Sequence, residues 1–356
     1  MSADAHDPES LKTYAAGGRW HLSLHPDVEK HAPHSALRFG SFMHPTHATL
    51  TSPLPLERHL AWTSRDHRKH RHTDADPHTG RRRHSPGTLS KLANMRRIEY
   101  WNISWWVAIL FTVGSVVWVV NGFIAFLPFV NSGVAEDDSG VGWTVWLGAT
   151  IFEFGALAGL WEALNRADAA DFGWNVHSLL HGDSERSTGN SSQQKNLKPP
   201  RTKWIWFSMD GKYFHELGFL AAFVQYLAAT IFWISGFTAI PTIQNAIAPH
   251  TGLIDGVFWT PQVIGGCGFV IASTLTMIET QQRWYIPAPA SLGWHVGFWN
   301  LVGGVGFALC GALGYALNDS NGIAYQSSCS TFWGSWAFLI GSVIQWYESV
   351  NPVENG

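Results

Sequence analysis

From about residue 100 onward the chain alternates long apolar runs with short polar connections. A helix that crosses about 30 Å of hydrocarbon needs about 20 apolar residues. Six windows meet that length, at 104–130, 143–165, 217–240, 257–279, 293–316 and 329–348, each rich in Val, Ile, Leu, Phe, Gly and Trp and poor in charge. The pattern predicts an all-α fold, a bundle of six transmembrane helices over residues 99–348. Residues 1–98 differ: Pro, His, Arg and Ser are scattered without a sustained period, with basic runs at His67-Arg68-Lys69-His70-Arg71-His72 and Arg81-Arg82-Arg83-His84. They are expected to form a disordered basic, His-rich arm. Residues 184–203 are Ser-, Gln-, Asn- and Pro-rich, so the long loop 166–212 is expected to be partly disordered. Within it, Trp204–Phe214 reads either as a tight turn or hairpin around Asp210-Gly211 or as an interfacial segment. Residues 349–356 form a short tail.

Charge gives the bundle a direction. Of the 23 Lys and Arg, fifteen precede Ser104, seven lie between Arg166 and Lys212, and the last is Arg283. The connections 131–142, 241–256 and 317–328 contain none. Basic residues gather on the cytoplasmic side of membrane proteins, so both termini are expected in the cytoplasm. Asn318-Asp319-Ser320 is then the sole glycosylation acceptor on the outer face. No signal peptide precedes the first apolar run, which is expected to act as an uncleaved anchor. Eighteen of the twenty Trp lie at or after Trp101, many at span ends, where an indole favours the headgroup layer. The net charge of −3 points to no particular partner, and nucleic acid is not expected. The three cysteines, Cys267, Cys310 and Cys329, are expected to be unpaired.

The spans repeat. The second, fourth and sixth carry Gly148, Phe152, Gly155, Ala156 and Glu162; Gly265, Phe269, Ala272, Ser273 and Glu279; and Gly334, Phe338, Gly341, Ser342 and Glu348, at identical spacing. The first, third and fifth share Gly114, Ser115, Trp118 and Gly122; Ala228, Ala229, Phe232 and Gly236; and Gly303, Gly304, Phe307 and Gly311. Small residues two turns apart lie on one face and let helices approach. Each pair starts and ends on the same side, so the sequence predicts three parallel helix-pair repeats rather than the inverted repeats of many transporters.

Phe111-Thr112-Val113-Gly114-Ser115, Phe338-Leu339-Ile340-Gly341-Ser342 and Trp333-Gly334-Ser335-Trp336 resemble the paired helices of small bacterial YrhK-like membrane proteins. They also resemble fungal multi-span integral membrane proteins of unknown function. The resemblance covers about 100–348 and departs at the central pair, which has Ala228 and Ala272. It implies architecture and no chemistry.

Candidate chemistry is sparse. Glu153 lies deep in the second span, where a carboxylate is costly unless paired, protonated or facing water, so it is either a functional site or hydrogen-bonded glue. Gln225 and Asn300 stand where the other spans have Phe ahead of their small pair. Lining a common interior, the three would make a polar layer suited to an ion or proton; apart, each is an ordinary interhelical bond. Glu162, Glu279 and Glu348 recur at the cytoplasmic helix ends, opposing the macrodipole, and read either as a ring for a cation or cytoplasmic partner or as solvated relics of the repeat. His177 and His181 are four apart but lack a third ligand, and His215, His250 and His295 sit near span ends, so neither a metal site nor a haem is expected. No nucleophile elbow or phosphate loop occurs, hence no catalytic residue and no cofactor. The sequence points to a non-enzymatic multi-pass membrane protein of unknown role, whose partner is the lipid bilayer. The alternatives are a small-ion or proton transporter using Glu153 and a scaffold that recruits cytoplasmic proteins.

Overall fold

The computed structural model describes residues 29–34, 43, 46–52, 58–69, 71, 87–165, 204–208, 210–317 and 319–351. The Asn318 acceptor, the His177 and His181 pair, most of the 166–212 loop and most of the tail lie outside them.

Among the described residues, six long helices carry the fold: α1 (Ile103–Val130), α2 (Asp138–Leu164), α3 (Leu217–Thr238), α4 (Thr260–Thr280), α5 (Leu292–Gly314) and α6 (Asn321–Val350). Three begin on a side-chain cap that satisfies an otherwise orphaned N–H. Asn102 accepts from Ser104 N, Asp137 from Gly140 N and Ser320 from Ile323 N. Each helix packs against its neighbours in sequence, and α6 closes onto α1, so the bundle is an up-and-down ring. Helices α1 to α5 are long and apolar enough to cross a membrane, which fits a multi-pass membrane protein. Helix α6 falls short of that apolarity, although it was expected as the sixth span. It is dense in Ser, Thr and Gln, and it hides these by packing and local bonding: Ser330 Oγ donates to Gln326 O at 2.7 Å, and Ser335 Oγ to Thr331 O at 2.6 Å.

The ring has no open centre at mid-height, because each helix sends one aromatic side chain inward. Trp118, Phe232 and Phe307 of the odd helices form one triangle, with ring centroids 4.7–5.6 Å apart. Phe152, Phe269 and Phe338 of the even helices form a second, at 5.5–6.5 Å. The two stack on each other: Trp118 meets Phe152 at 6.4 Å, Phe232 meets Phe269 at 5.7 Å and Phe307 meets Phe338 at 5.1 Å. All six are nearly fully buried, and these offset and edge contacts are the favoured ring geometries. The small residues singled out in the sequence flank them and are buried in every helix.

Outside the ring, the strands Glu29–His34, His47–Ser52 and Arg58–Thr63 form a three-stranded antiparallel sheet. It leads into a short helix, Ser64–Arg68, lying against one end of the bundle. The sequence places 64–71 in a disordered arm; here Arg65, Arg68, Lys69 and Arg71 are instead buried. The physical reason is pairing with distant carboxylates, which a local reading cannot see. Trp204, Ile205, Tyr213 and Phe214 pack on the same end, with a 3-10 turn at Gly211–His215, a tight turn rather than a hairpin. Asn165, at the end of α2, pins them by accepting from Ile205 N at 2.6 Å and donating to Ile205 O at 2.8 Å.

Candidate functional site

Three carboxylates meet at the arm end of the ring. Glu162, Glu279 and Glu348 each follow the inward Phe of their helix by ten residues, about 15 Å along a helix axis. They are 4%, 1% and 0% exposed. Carboxylates this deeply buried require partners. The arm helix supplies them, because residues at i, i+3 and i+4 share one helical face.

Arg65 grips Glu348 with two bonds, Nε to Oε1 at 2.9 Å and Nη2 to Oε2 at 2.7 Å. Arg68 grips Glu279 in the same way, at 2.5 and 2.9 Å, and Ser64 Oγ donates to Glu279 Oε1 at 3.0 Å. Lys69 Nζ lies 3.2 Å from Glu162 Oε1. Arg71 joins the Glu348 side at 3.2 Å, reaches Asp66 at 3.0 Å, and donates twice to Asn351 O beyond the C-terminus of α6. Among the described residues, four cations thus face four carboxylates. Cations also suit these positions because α2, α4 and α6 all end here, with the negative ends of their dipoles. The recurring glutamates that look unfavourable as isolated helix ends are balanced by the arm.

The bundle is shaped for the guanidiniums. A Cβ added at Gly218 would collide with Arg68 Nη1, and one at Gly293 with Arg65 Nε. Both glycines stand fourteen residues before the inward aromatic of their helix, Phe232 and Phe307.

Burial alone would lower the pKa of Arg65 and Arg68, but the charge and hydrogen bonds of Glu348 and Glu279 outweigh it and raise both. Lys69 goes the other way. Burial disfavours its ammonium, Glu162 only partly offsets this, and Arg65 and Arg68 add repulsion, so its pKa lies below the ordinary 10.5. Lys69 therefore holds its proton less tightly when docked than when free, and docking gains stability as pH rises from the depressed value to 10.5. A distance label between the arm and the 281–291 loop, titrated upward from neutral pH, should report tighter docking in wild type. Lys69→Arg should show no such gain. Loosening of the wild-type arm over that window would contradict the assignment.

Glu153, Gln225 and Asn300 are not brought together. Glu153 sits in the α2–α3 seam, where Oε1 accepts from Thr230 Oγ1 at 2.9 Å and Oε2 is buried with no hydrogen-bond partner among the described residues. A second polar contact, Trp233 Nε1 to Thr150 Oγ1 at 2.9 Å, lies in the same seam. Asn300 lies in the α5–α6 seam against Gly341, as Phe111 lies against Gly155 in the α1–α2 seam. Gln225, five residues before Thr230, is half-buried, and no hydrogen bond joins it to Glu153 or Asn300 among the described residues.

The residues missed by sequence reasoning are Arg65, Arg68, Lys69 and Arg71. Their i, i+3, i+4 spacing was available, as was the oddity of three repeated glutamates opposing helix dipoles. Comparison with known protein families, curated proteins and solved structures finds no match.

Proposed function

We propose that the chain is a non-enzymatic, six-span integral membrane protein built from three parallel helix-pair repeats, with both termini in the cytoplasm, acting as a closed scaffold rather than a conduit. The observation that carries this is the filled axis: two stacked aromatic triangles occupy the middle of the ring, and Glu153 lies off it in a seam of its own. The sixth span is α6, whose hydroxyls bond within the helix and face neighbours. The equivalent burial of equivalent residues in the three pairs supports the repeat, and the resemblance to YrhK-like paired helices agrees with it. The buried ionisable groups at the arm end neutralise one another, leaving a platform suited to cytoplasmic protein partners.

Two measurements test this. In proteoliposomes the wild-type protein should pass neither protons nor small cations, and Glu153→Gln, which keeps an acceptor for Thr230, should change thermal stability little. Glu153→Leu should cost about 0.6–2 kcal/mol through the lost interhelical bond. A wild-type flux that vanishes in Glu153→Gln would overturn the scaffold reading. In sealed cytoplasm-out vesicles a C-terminal tag should be digested without permeabilisation; protection would reverse the topology.

A further inference from the structure

The polar contacts at the arm end differ in kind from the packing within the ring, and the difference bears on whether the arm is a permanent part of the fold. Among the described side chains before residue 72, Met43 is the one buried apolar residue, while Arg65, Arg68, Lys69 and Arg71 are buried as charges. The described contacts between the arm helix and the bundle are ion pairs and hydrogen bonds. A buried ion pair recovers little beyond the cost of desolvating its two charges, so such docking is specific without being strong. The seam is also open. A cavity of about 290 Å³ lies between the arm and the 290–292 turn, lined by Thr63, Arg65, Asp66 and Arg71 on one side and by Thr280, Ser291 and Glu348 on the other.

The receiving surface belongs to the bundle alone. Glu279 and Glu348 each present two oxygens to a fork-shaped group, over floors kept bare by Gly218 and Gly293, and Glu162 presents a third carboxylate. Paired oxygens in this arrangement select guanidinium over ammonium, since a planar fork makes two parallel bonds where an ammonium acts as a point charge.

We propose that the Glu162, Glu279 and Glu348 cup is a binding site for a basic peptide segment that offers two arginines and a lysine at i, i+3 and i+4, and that the chain's own arm is its displaceable occupant. This goes beyond the scaffold reading and holds whether or not the ring conducts. The cup is then closed to an outside basic segment while the arm is docked and open when the arm leaves.

The test uses full-length protein in nanodiscs and a fluorescent peptide of residues 61–72 as probe. In a variant with Arg65, Arg68, Lys69 and Arg71 all changed to Gln, the peptide should bind saturably. Wild type should bind it at least tenfold more weakly, because its own arm competes. Adding Glu279→Gln to the arm variant should cost at least tenfold, and a peptide with both Arg65 and Arg68 changed to Lys should bind more weakly than the parent. Absence of peptide binding to the folded arm variant, or equal binding with and without Glu279→Gln, would overturn the proposal. Should the fourfold variant fail to fold, wild type supplies the readout: excess peptide should speed hydrogen exchange at the amides of Ser64–Arg68, and unchanged exchange would count against displacement.

Discussion

Replacing Glu348 by Gln is expected to free the arm while leaving the helical ring intact. Glu348 is fully buried, holds Arg65 through two hydrogen bonds and receives a third from Arg71. Glutamine keeps the shape but offers one acceptor oxygen and no charge, so two guanidiniums would remain buried beside a neutral group. Removing one partner of a buried pair costs about 3–5 kcal/mol. The chain can escape that cost, because the described contacts of the arm helix with the bundle are such pairs and hydrogen bonds, and the helix can move its cations into water. Limited trypsin digestion in mild detergent should show new cleavage after Arg65, Arg68 or Arg71, with the helices retained by circular dichroism. Glu348→Asp, one methylene shorter but still charged, should give an intermediate rate. An arm as well protected in Glu348→Gln as in wild type would show that the ion pairs do not hold it.

Phe307→Ala is expected to be the most damaging single change within the ring. Phe307 touches Trp118 at 4.7 Å and Phe232 at 5.5 Å in its own triangle and Phe338 at 5.1 Å in the other, so it bridges both layers. In a water-soluble core such a truncation costs about 3–5 kcal/mol, part of which is the transfer of the ring out of water. That part shrinks in a bilayer, where the surroundings are as apolar as the core. Lost dispersion and the cavity remain, and about 2 kcal/mol or more is expected from them. Phe154, 58% exposed on the outer surface of α2, is the control, and its change to Ala should be nearly silent. Thermal or detergent-induced unfolding of both variants checks this. Equal stability of the two would mean that the axis is not the centre of the packing.

The helices were legible in the sequence because apolar length is a local property that survives without knowledge of neighbours. Phe152, Phe269 and Phe338 were legible too, as members of a spacing shared by three helices, although nothing in that spacing says that they meet on an axis. Helix α6 shows the limit of apolar length as a guide: its hydroxyls bond to carbonyls of its own helix, so it packs as the others do despite its polarity. For Glu153 the depth was readable and the direction was not, since one residue's rotation from Phe152 turns a side chain from the axis into the α2–α3 seam. The arm was hardest. Its cationic face spans a turn and a half of helix, too short for a period to stand out, and its partners lie 93, 211 and 283 residues away.

Those separations also set a timetable. The arm precedes α1 in the chain, yet Lys69 must wait for α2, Arg68 for α4, and Arg65 for α6. Arg65 and Arg71 therefore cannot be paired and buried until the last helix is in place, whereas Lys69 and Arg68 gain their partners earlier. A chain with a missing, misplaced or unpaired α6 keeps Arg65 and Arg71 on display. The burial of Arg65 and Arg71 thus marks a finished ring.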